Sequence, residues 1–313
     1  MPLFVFRPPK KPLSFMKWRF IAFAVSAIVL IATIASLSTQ GLALGVDFTG
    51  GTVAEVRSEQ TIDVATLREQ LAGAGFTDAS IQGFDQGMGA TIRLPAEENP
   101  EVSAQTISRL SAALPEGVRV EGTSALGPKV SGEFLQKAMI AVGLSILSIG
   151  IYVWIRFEFK FGLAAFLTTL HDAILVFGLF TFTRMTFDMT VVAGILTVIG
   201  YSINDTVVVY DRIRENLRKY KTTSLSDLID LSVTETLPRT IVTGGTTLLT
   251  SAALLVLGGP VLAGFAAAIT FGVIIGTFSS IFVAAPLLLH LPGRLPTEHA
   301  RGEKANSTEA SPA

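Results

Sequence analysis

The stretch Met189–Glu215, MTVVAGILTVIGYSINDTVVVYDRIRE, decides the fold. From Met189 to Tyr210 it holds one charged side chain, Asp205, and then it turns polar at Asp211, Arg212 and Arg214. A helix of ~20 apolar residues crosses ~30 Å of hydrocarbon, so the run has the length of a membrane span. Five more runs share this character: Trp18 to Leu37, Lys137 to Ile155, Phe161 to Phe182, Thr240 to Leu257 and Val261 to Leu291. The composition agrees. Of 313 residues 50% are hydrophobic and 16% charged, against ~25% charged in soluble domains, and the mean hydropathy is +0.55. A formal net charge of -1 gives no reason to expect nucleic acid, and the lack of Cys excludes disulfides, thiol catalysis and Cys-bound metal.

Working outward, the first run follows Arg7, Lys10, Lys11, Lys17 and Arg19, as a signal peptide would. It continues past Leu37 with no small-x-small site directly after it, so an uncleaved anchor is expected. Lys and Arg flanking a span are retained on the cytoplasmic side. Sixteen of the 24 lie in the N-terminal arm, the loop Arg156 to Lys160, the stretch Arg212 to Arg239 and the tail after Leu291. Both termini are therefore expected in the cytoplasm. The organisation reads as a cytoplasmic arm over 1–17, a first span over 18–38, an outer domain over 39–136, five spans over 137–291 and a flexible cytoplasmic tail over 292–313.

The outer segment alone has ordinary globular composition. Gly50 to Ser58 alternates with period 2, and a helix follows Thr61 or Asp63 and closes at Gly73 or Gly75. Ser80 to Phe84 and Gly89 to Pro95 form a hairpin, Pro100 to Leu114 a second helix and Gly117 to Gly122 a last strand. This is the βαββαβ order of an α+β ferredoxin-like domain. The chain as a whole reads as an α-helical polytopic membrane protein of six transmembrane helices carrying that domain.

Nucleotide, zinc-protease and nucleophile-elbow motifs are missing, and His171, His290 and His299 are too scattered for standard metal spacing. No enzymatic activity, cofactor or metal is expected. The informative residues are the ionisable groups inside apolar runs, where a charge costs at least ~2.5–3.5 kcal/mol at mid-bilayer. They are His171 and Asp172 in the third run, Asn204 and Asp205 in the fourth, and Arg239 after Leu237-Pro238 at the start of the fifth. A Pro fits the first turn of a helix, which puts Arg239 near the membrane boundary, within reach of Asp205. Arg212, seven residues or ~10.5 Å from Asp205, is too far for a direct pair and reads, with Arg214, as an interface anchor. Burial disfavours a charged carboxylate and a nearby Arg favours it, so Asp205 reads either as a proton carrier or as a hydrogen-bonded helix contact. Asp172 has the same two readings. His171 is expected on another face, since i and i+1 do not align on a helix. Gly194, Gly200, Gly244, Gly245, Gly272 and Gly276 permit close helix approach.

At these residues a resemblance appears. Gly45-Val46-Asp47-Phe48-Thr49-Gly50-Gly51 is similar to the G-x-D-F-x-G-G signature of the SecD/SecF family of protein-export membrane proteins. Ile199 to Glu215, His171-Asp172 and Thr236-Leu237-Pro238-Arg239-Thr240 resemble its SecF branch in particular. The resemblance implies half of a bundle of the resistance-nodulation-division (RND) type in the bacterial inner membrane, completed by SecD. It also implies association with the SecYEG channel and with YajC, and use of the proton motive force to draw translocating polypeptide outward late in export. The proton path would include Asp205 and Arg239, with Gly45, Asp47, Phe48, Gly50 and Gly51 as the family motif; Asn204, Asp172, His171 and Arg212 are supporting candidates from the reading of the residues themselves, not from the resemblance. Two rivals stay open: a stand-alone half-size exporter of small molecules or lipids, and a brace for the channel with no proton coupling.

Overall fold

The computed structural model describes residues 11–95 and 100–291. Arg7, Lys10, His299 and the tail over 292–313 lie outside the described residues. Among the described residues six helices are long and apolar enough to cross a membrane. The first, α1, spans Arg19–Gln40 after a 3-10 turn at Met16–Trp18. After the outer domain come α5 (Pro128–Arg156), α6 (Phe159–Thr183), α7 (Met189–Lys219), α8 (Leu225–Leu257) and α9 (Gly259–Ser279). The last passes through a π-helical turn at Ser280–Ala284 into α10, Ala285–His290.

The outer domain opens with a single turn, α2 (Val46–Thr49), and β1 (Gly51–Ser58). Then come α3 (Val64–Gly73), β2 (Ser80–Phe84), β3 (Gly89–Leu94), α4 (Pro100–Ala113) and β4 (Val118–Leu126). The sheet order β2-β3-β1-β4, antiparallel throughout, is the ferredoxin-like arrangement. Asp63 rather than Thr61 caps α3, accepting from Ala65 N and Thr66 N. The Thr66 hydroxyl and these two amides hold the Asp63 carboxyl below the usual carboxylate range. Ala54, Val56, Leu67, Leu71, Ile81, Ile92 and Leu110 form the domain's own core between the sheet and its helices.

In lipid, apolar burial gives little drive for helix association, so small residues and close contacts must do it. Helix α1 shows the pattern. Its buried face is Ala22, Ser26, Thr33 and Ser36, while Ile28, Ile31 and Ile34 face outward. A close seam joins α7 and α9, where Gly272 lies against Val198 with no space for a Cβ and Gly276 lies tightly against Ser202. Gly194 meets Ala268 in the same seam, whereas Gly200 and Gly245 have open space where a Cβ would lie.

Two boundaries differ from those read in the sequence. Helix α5 begins at Pro128, nine residues before Lys137. Helix α8 begins at Leu225 rather than Thr240, so Pro238 is inside a helix and not at its start. The polar segment before Pro238 is helical because Leu228, Ile229 and Val233 pack into a core with Ile213 and Leu217 of α7. Pro238 removes the backbone donor that the Thr234 carbonyl would otherwise take, a loss that membrane helices tolerate. The end of the arm is docked rather than free. Leu13 N donates to Thr234 Oγ1 at 2.9 Å and Met16 N to Asp230 Oδ1 at 2.8 Å.

Replacing Gly272 by Leu forces a side chain into Val198, an overpacking that costs about 1–3 kcal/mol. The expected outcome is a lower membrane level and an earlier aggregation temperature in detergent. Gly143→Leu, at a position with open space around it, is expected to leave both unchanged.

Candidate functional site

The interior of the bundle is built in layers. Toward the outer domain, Ala173, Val176 and Phe180 of α6 pack with Val191, Ile195, Val198 and Ile199 of α7 and Ala268 of α9. At the opposite end, Phe161, Ala164 and Ala165 of α6 pack with Val209, Tyr210 and Ile213 of α7 and with Ile281 and Ala284. Between these two apolar clusters every one of these helices carries polar side chains. Buried there are Thr168, Thr169, His171 and Asp172 of α6, Ser202, Asp205 and Thr206 of α7, Thr240 of α8, and Ser279 and Ser280 at the π turn. A polar layer thus crosses the bundle at one level, in a region where each such group needs a partner.

Asp205 is buried on α7. Its Oδ1 accepts from Thr240 Oγ1 of α8 at 2.7 Å, and its Oδ2 has no hydrogen-bond partner. Among the described residues no contact ion pair joins Arg239 to Asp205: its side chain is exposed one residue before the Thr that does bond the carboxylate, and its charge acts on Asp205 only at longer range. On a helix the two neighbours project about 100° apart, so only one can face α7. Asn204 is also exposed, on the outside of α7.

Asp172 is the most heavily bonded group in the layer. It is fully buried, and its Oδ2 accepts from Ser202 Oγ at 2.5 Å and Ser279 Oγ at 2.7 Å, joining α6 to α7 and α9. Its Oδ1 meets His171 Nδ1 at 2.9 Å. The separate faces expected for His171 and Asp172 are therefore corrected: the short reach from Nδ1 to the next side chain overcomes the angular offset. Thr206 and Ser280 hydroxyls bond each other at 2.9 Å, and Tyr210 Oη donates to the Ala284 carbonyl at 3.2 Å. A π turn breaks the regular backbone ladder and occurs often at functional sites; here both of its ends are held by α7. Sequence reading missed Ser202, Thr240, Ser279 and Ser280. The one available signal was Ser202, three residues before Asp205 and so on the same face.

Arg212 lies below this layer and pairs with Glu235 of α8 at 2.7 Å and with Glu215, while Asn216 Nδ2 reaches Glu235 at 2.8 Å. Arg214 pairs with Glu158 at 3.3 Å. Both clamp helix ends rather than touching Asp205.

The glycine-rich motif forms the joint between the outer domain and the bundle. Asp47 Oδ2 accepts from Met189 N at 2.8 Å, and Gly45 N donates to the Phe187 carbonyl at 2.8 Å. Phe48 stacks near Phe187, their centroids 5.8 Å apart. Gly45 packs directly on Asp188, itself the cap of α7. Gly50 and Gly51 have φ +74° and +129°, and a Cβ at Gly51 would strike the Leu94 carbonyl. From the sheet, Arg93 Nη2 donates to Thr186 Oγ1 at 2.5 Å. Burial pulls the Arg93 guanidinium below the usual arginine range and the Asp188 carboxylate opposes that. A cleft of about 410 Å³ lies between this sheet face and the α6–α7 loop, with Glu55, Gln82, Asp47 and Thr190 in its walls. The first turn of α7 is thus fixed to the outer domain, and its middle carries Asp205.

Comparison with known proteins fits this architecture. The family described as "Protein export membrane protein SecD/SecF, C-terminal" matches residues 107–294, and the "SecD/SecF GG Motif" matches residues 35–62. The chain is 42% identical over 295 residues to the Protein translocase subunit SecF of Cereibacter sphaeroides, covering 91% of each chain. It is 40% identical over 280 residues to that of Pseudomonas aeruginosa, covering 89% of this chain and 91% of the other. Among solved structures, SecDF of Thermus thermophilus superposes with a TM-score of 0.81 at 34% identity over 90% of this chain. A SecDF in the super-membrane-facing form superposes at 0.64 and 31% identity over 99%. The chain spans 39% and 41% of those two longer chains. Six membrane helices with the spacing of half an RND-type bundle, a ferredoxin-like outer domain and a glycine-rich joint between them are shared features of one group, and the chain belongs to the SecD/SecF family of protein-export membrane proteins.

Proposed function

We propose that this chain is a SecF-type subunit of the Sec export machinery, and that with a SecD partner it uses the proton motive force to promote late release of polypeptide on the outer side. It acts as a transport subunit and not as an enzyme. The observation that carries the reading is Asp205: a buried carboxyl in a polar layer between apolar clusters, bonded through one oxygen to a neighbouring helix and unpartnered at the other. A carboxyl that served only to tie helices would have both oxygens engaged, as Asp172 does.

The cycle follows from that geometry. A proton taken up at Oδ2 makes Asp205 neutral, which weakens it as an acceptor for Thr240 and loosens α8 from α7. Loss of the proton restores the charge and the tie. One charge moved through 100 mV is worth about 2.3 kcal/mol, enough to bias two arrangements that differ by a few kcal/mol. Because Asp47, Gly45 and Arg93 hold the α6–α7 loop and the first turn of α7, a tilt of α7 would move the outer domain. Arg239 would act across the interface with SecD, supplying a positive charge near Asp205 in one state.

The outward faces support such a partner. Along α7, Thr197, Gly200 and Asn204 are exposed at helical spacing, and along α8 Arg239 and Thr246 are exposed. An Asn and an Arg at membrane depth require a protein or aqueous partner, which SecD would supply. Orientation with both termini in the cytoplasm, and contact with SecYEG, YajC and the emerging polypeptide, belong to the same reading.

Export in cells carrying Asp205→Asn or Arg239→Met is expected to fall to the level of a deletion, with the protein still made and still paired with SecD. Normal export would make Asp205 a packing residue and the subunit a brace. Since the natural chain has no Cys, single cysteines at Thr197 and Thr246 are expected to crosslink to SecD. Cysteines at Ile28 or Ile31 of α1 are expected not to, and the reverse pattern would contradict the interface.

A further inference from the structure

The cycle at Asp205 makes no use of His171, a buried titratable group in the same layer. His171 is buried in the polar layer, its Nδ1 lies 2.9 Å from Asp172 Oδ1, and its Nε2 is buried with no hydrogen-bond partner. An ionised carboxylate only accepts hydrogen bonds. Asp172 has three groups around it able to donate, His171 Nδ1, Ser202 Oγ and Ser279 Oγ, which is the pattern of an ionised acid. The imidazole proton is then on Nδ1 and the lone pair on Nε2.

We propose that His171 is a second proton-carrying residue of this bundle, taking up its proton at Nε2, with Asp172 as the positioning residue that fixes its tautomer. The inference rests on the proton-coupled reading of Asp205 and adds a site to it. The step is simple proton transfer. A water-borne proton bonds to the Nε2 lone pair, the imidazolium cancels the charge of Asp172, and release of the same proton returns the neutral ring.

Few other titratable groups reach the level of the pair. Between Arg19 and Gln40, α1 has no titratable side chain, and α9 and the π turn have none. Those of α5 are Lys129, Glu133, Lys137, Tyr152 and Arg156, outside its apolar middle, and α10 brings only His290 at its far end. Helix α7 brings Tyr201 and Asp205 to the layer, and α8 brings Glu235 and Arg239 near it. The two serines give the pair a mechanical reach. Ser279 ends α9 at the start of the π turn, and Ser202 is three residues before Asp205, so a change of charge at His171–Asp172 acts on both elements that flank Asp205.

The test uses the full chain paired with SecD, labelled with ¹⁵N-histidine, carrying His290→Gln and His299→Gln so that one ring remains. Nitrogen shifts recorded across a scanned window of about pH 5 to 9 are expected to show a protonated Nδ1 and a bare Nε2 at its high end and both nitrogens protonated at its low end. Asp172→Asn is expected to abolish the single tautomer, and Asp205→Asn to leave the ring titrating. A ring protonated on Nε2 at high pH, or one that never changes in that window, overturns the proposal. In cells, His171→Gln retains a side-chain donor for Asp172 but carries no proton, and proton-driven export is expected to fall several-fold with pairing to SecD unchanged. Unchanged export also overturns it. If Asp205→Asn exports normally while the His171 ring titrates, the Asp205 reading fails and this one survives.

Discussion

The structure depends on the cost of keeping carboxylates in hydrocarbon. Asp172 and Asp205 sit at the same level of a six-helix bundle, and an ionised acid there is tolerated only with donors around it or with a proton on it. Asp172 has its donors. They come from three helices and include the residue that ends α9 before the π turn. Asp205 has one well-formed hydrogen bond, from Thr240, and an Oδ2 that makes none, with the Ser280 hydroxyl beside the carboxyl. The difference between these two acids separates a fixed tie from a group able to change charge.

The rest of the bundle serves that layer. Glycines bring α7 and α9 close enough for Ser202 and Ser279 to reach one carboxylate. Apolar clusters flank the layer above and below. At the outer end the glycine-rich joint fixes the first turn of α7 to a domain with its own core. On the proposed reading, a rigid outer body attached to a helix with a switchable charge at its centre would turn a proton movement into a displacement. Arg212, Glu235 and Asn216 hold α7 to α8 at the other end, leaving the segment near Asp205 as the place where the two helices can part.

Much of this was legible in the sequence. Apolar length fixes six spans, and period-2 strands with capped helices fix the βαββαβ order of the outer domain. Asp205 stands out because nothing else in its run carries charge. The contacts of the acids were not legible, for a physical reason. Ser and Thr in an apolar run can bond their own backbone carbonyls, as Thr246 and Thr250 do. Nothing local separates these from Thr240 or Ser279, which bond an acid on another helix. The start of α8 was hidden in the same way. Its first half is polar in sequence and is helical because one face packs on α7, a long-range contact that overrides the usual reading of Pro238 as a helix start. Arg239 was chosen as the partner of Asp205 on charge, and the helical angle gives that position to Thr240.

The central claim is that the charge of Asp205 sets the position of the outer domain. The most direct measurement is the distance between spin labels at Gln82 in the sheet and Val256 at the outer end of α8, in the chain paired with SecD in bilayers. The account predicts two distance populations whose ratio changes with pH, and a single pH-independent population in Asp205→Asn, matching the low-pH form. Identical, pH-dependent distributions in the two proteins would contradict it.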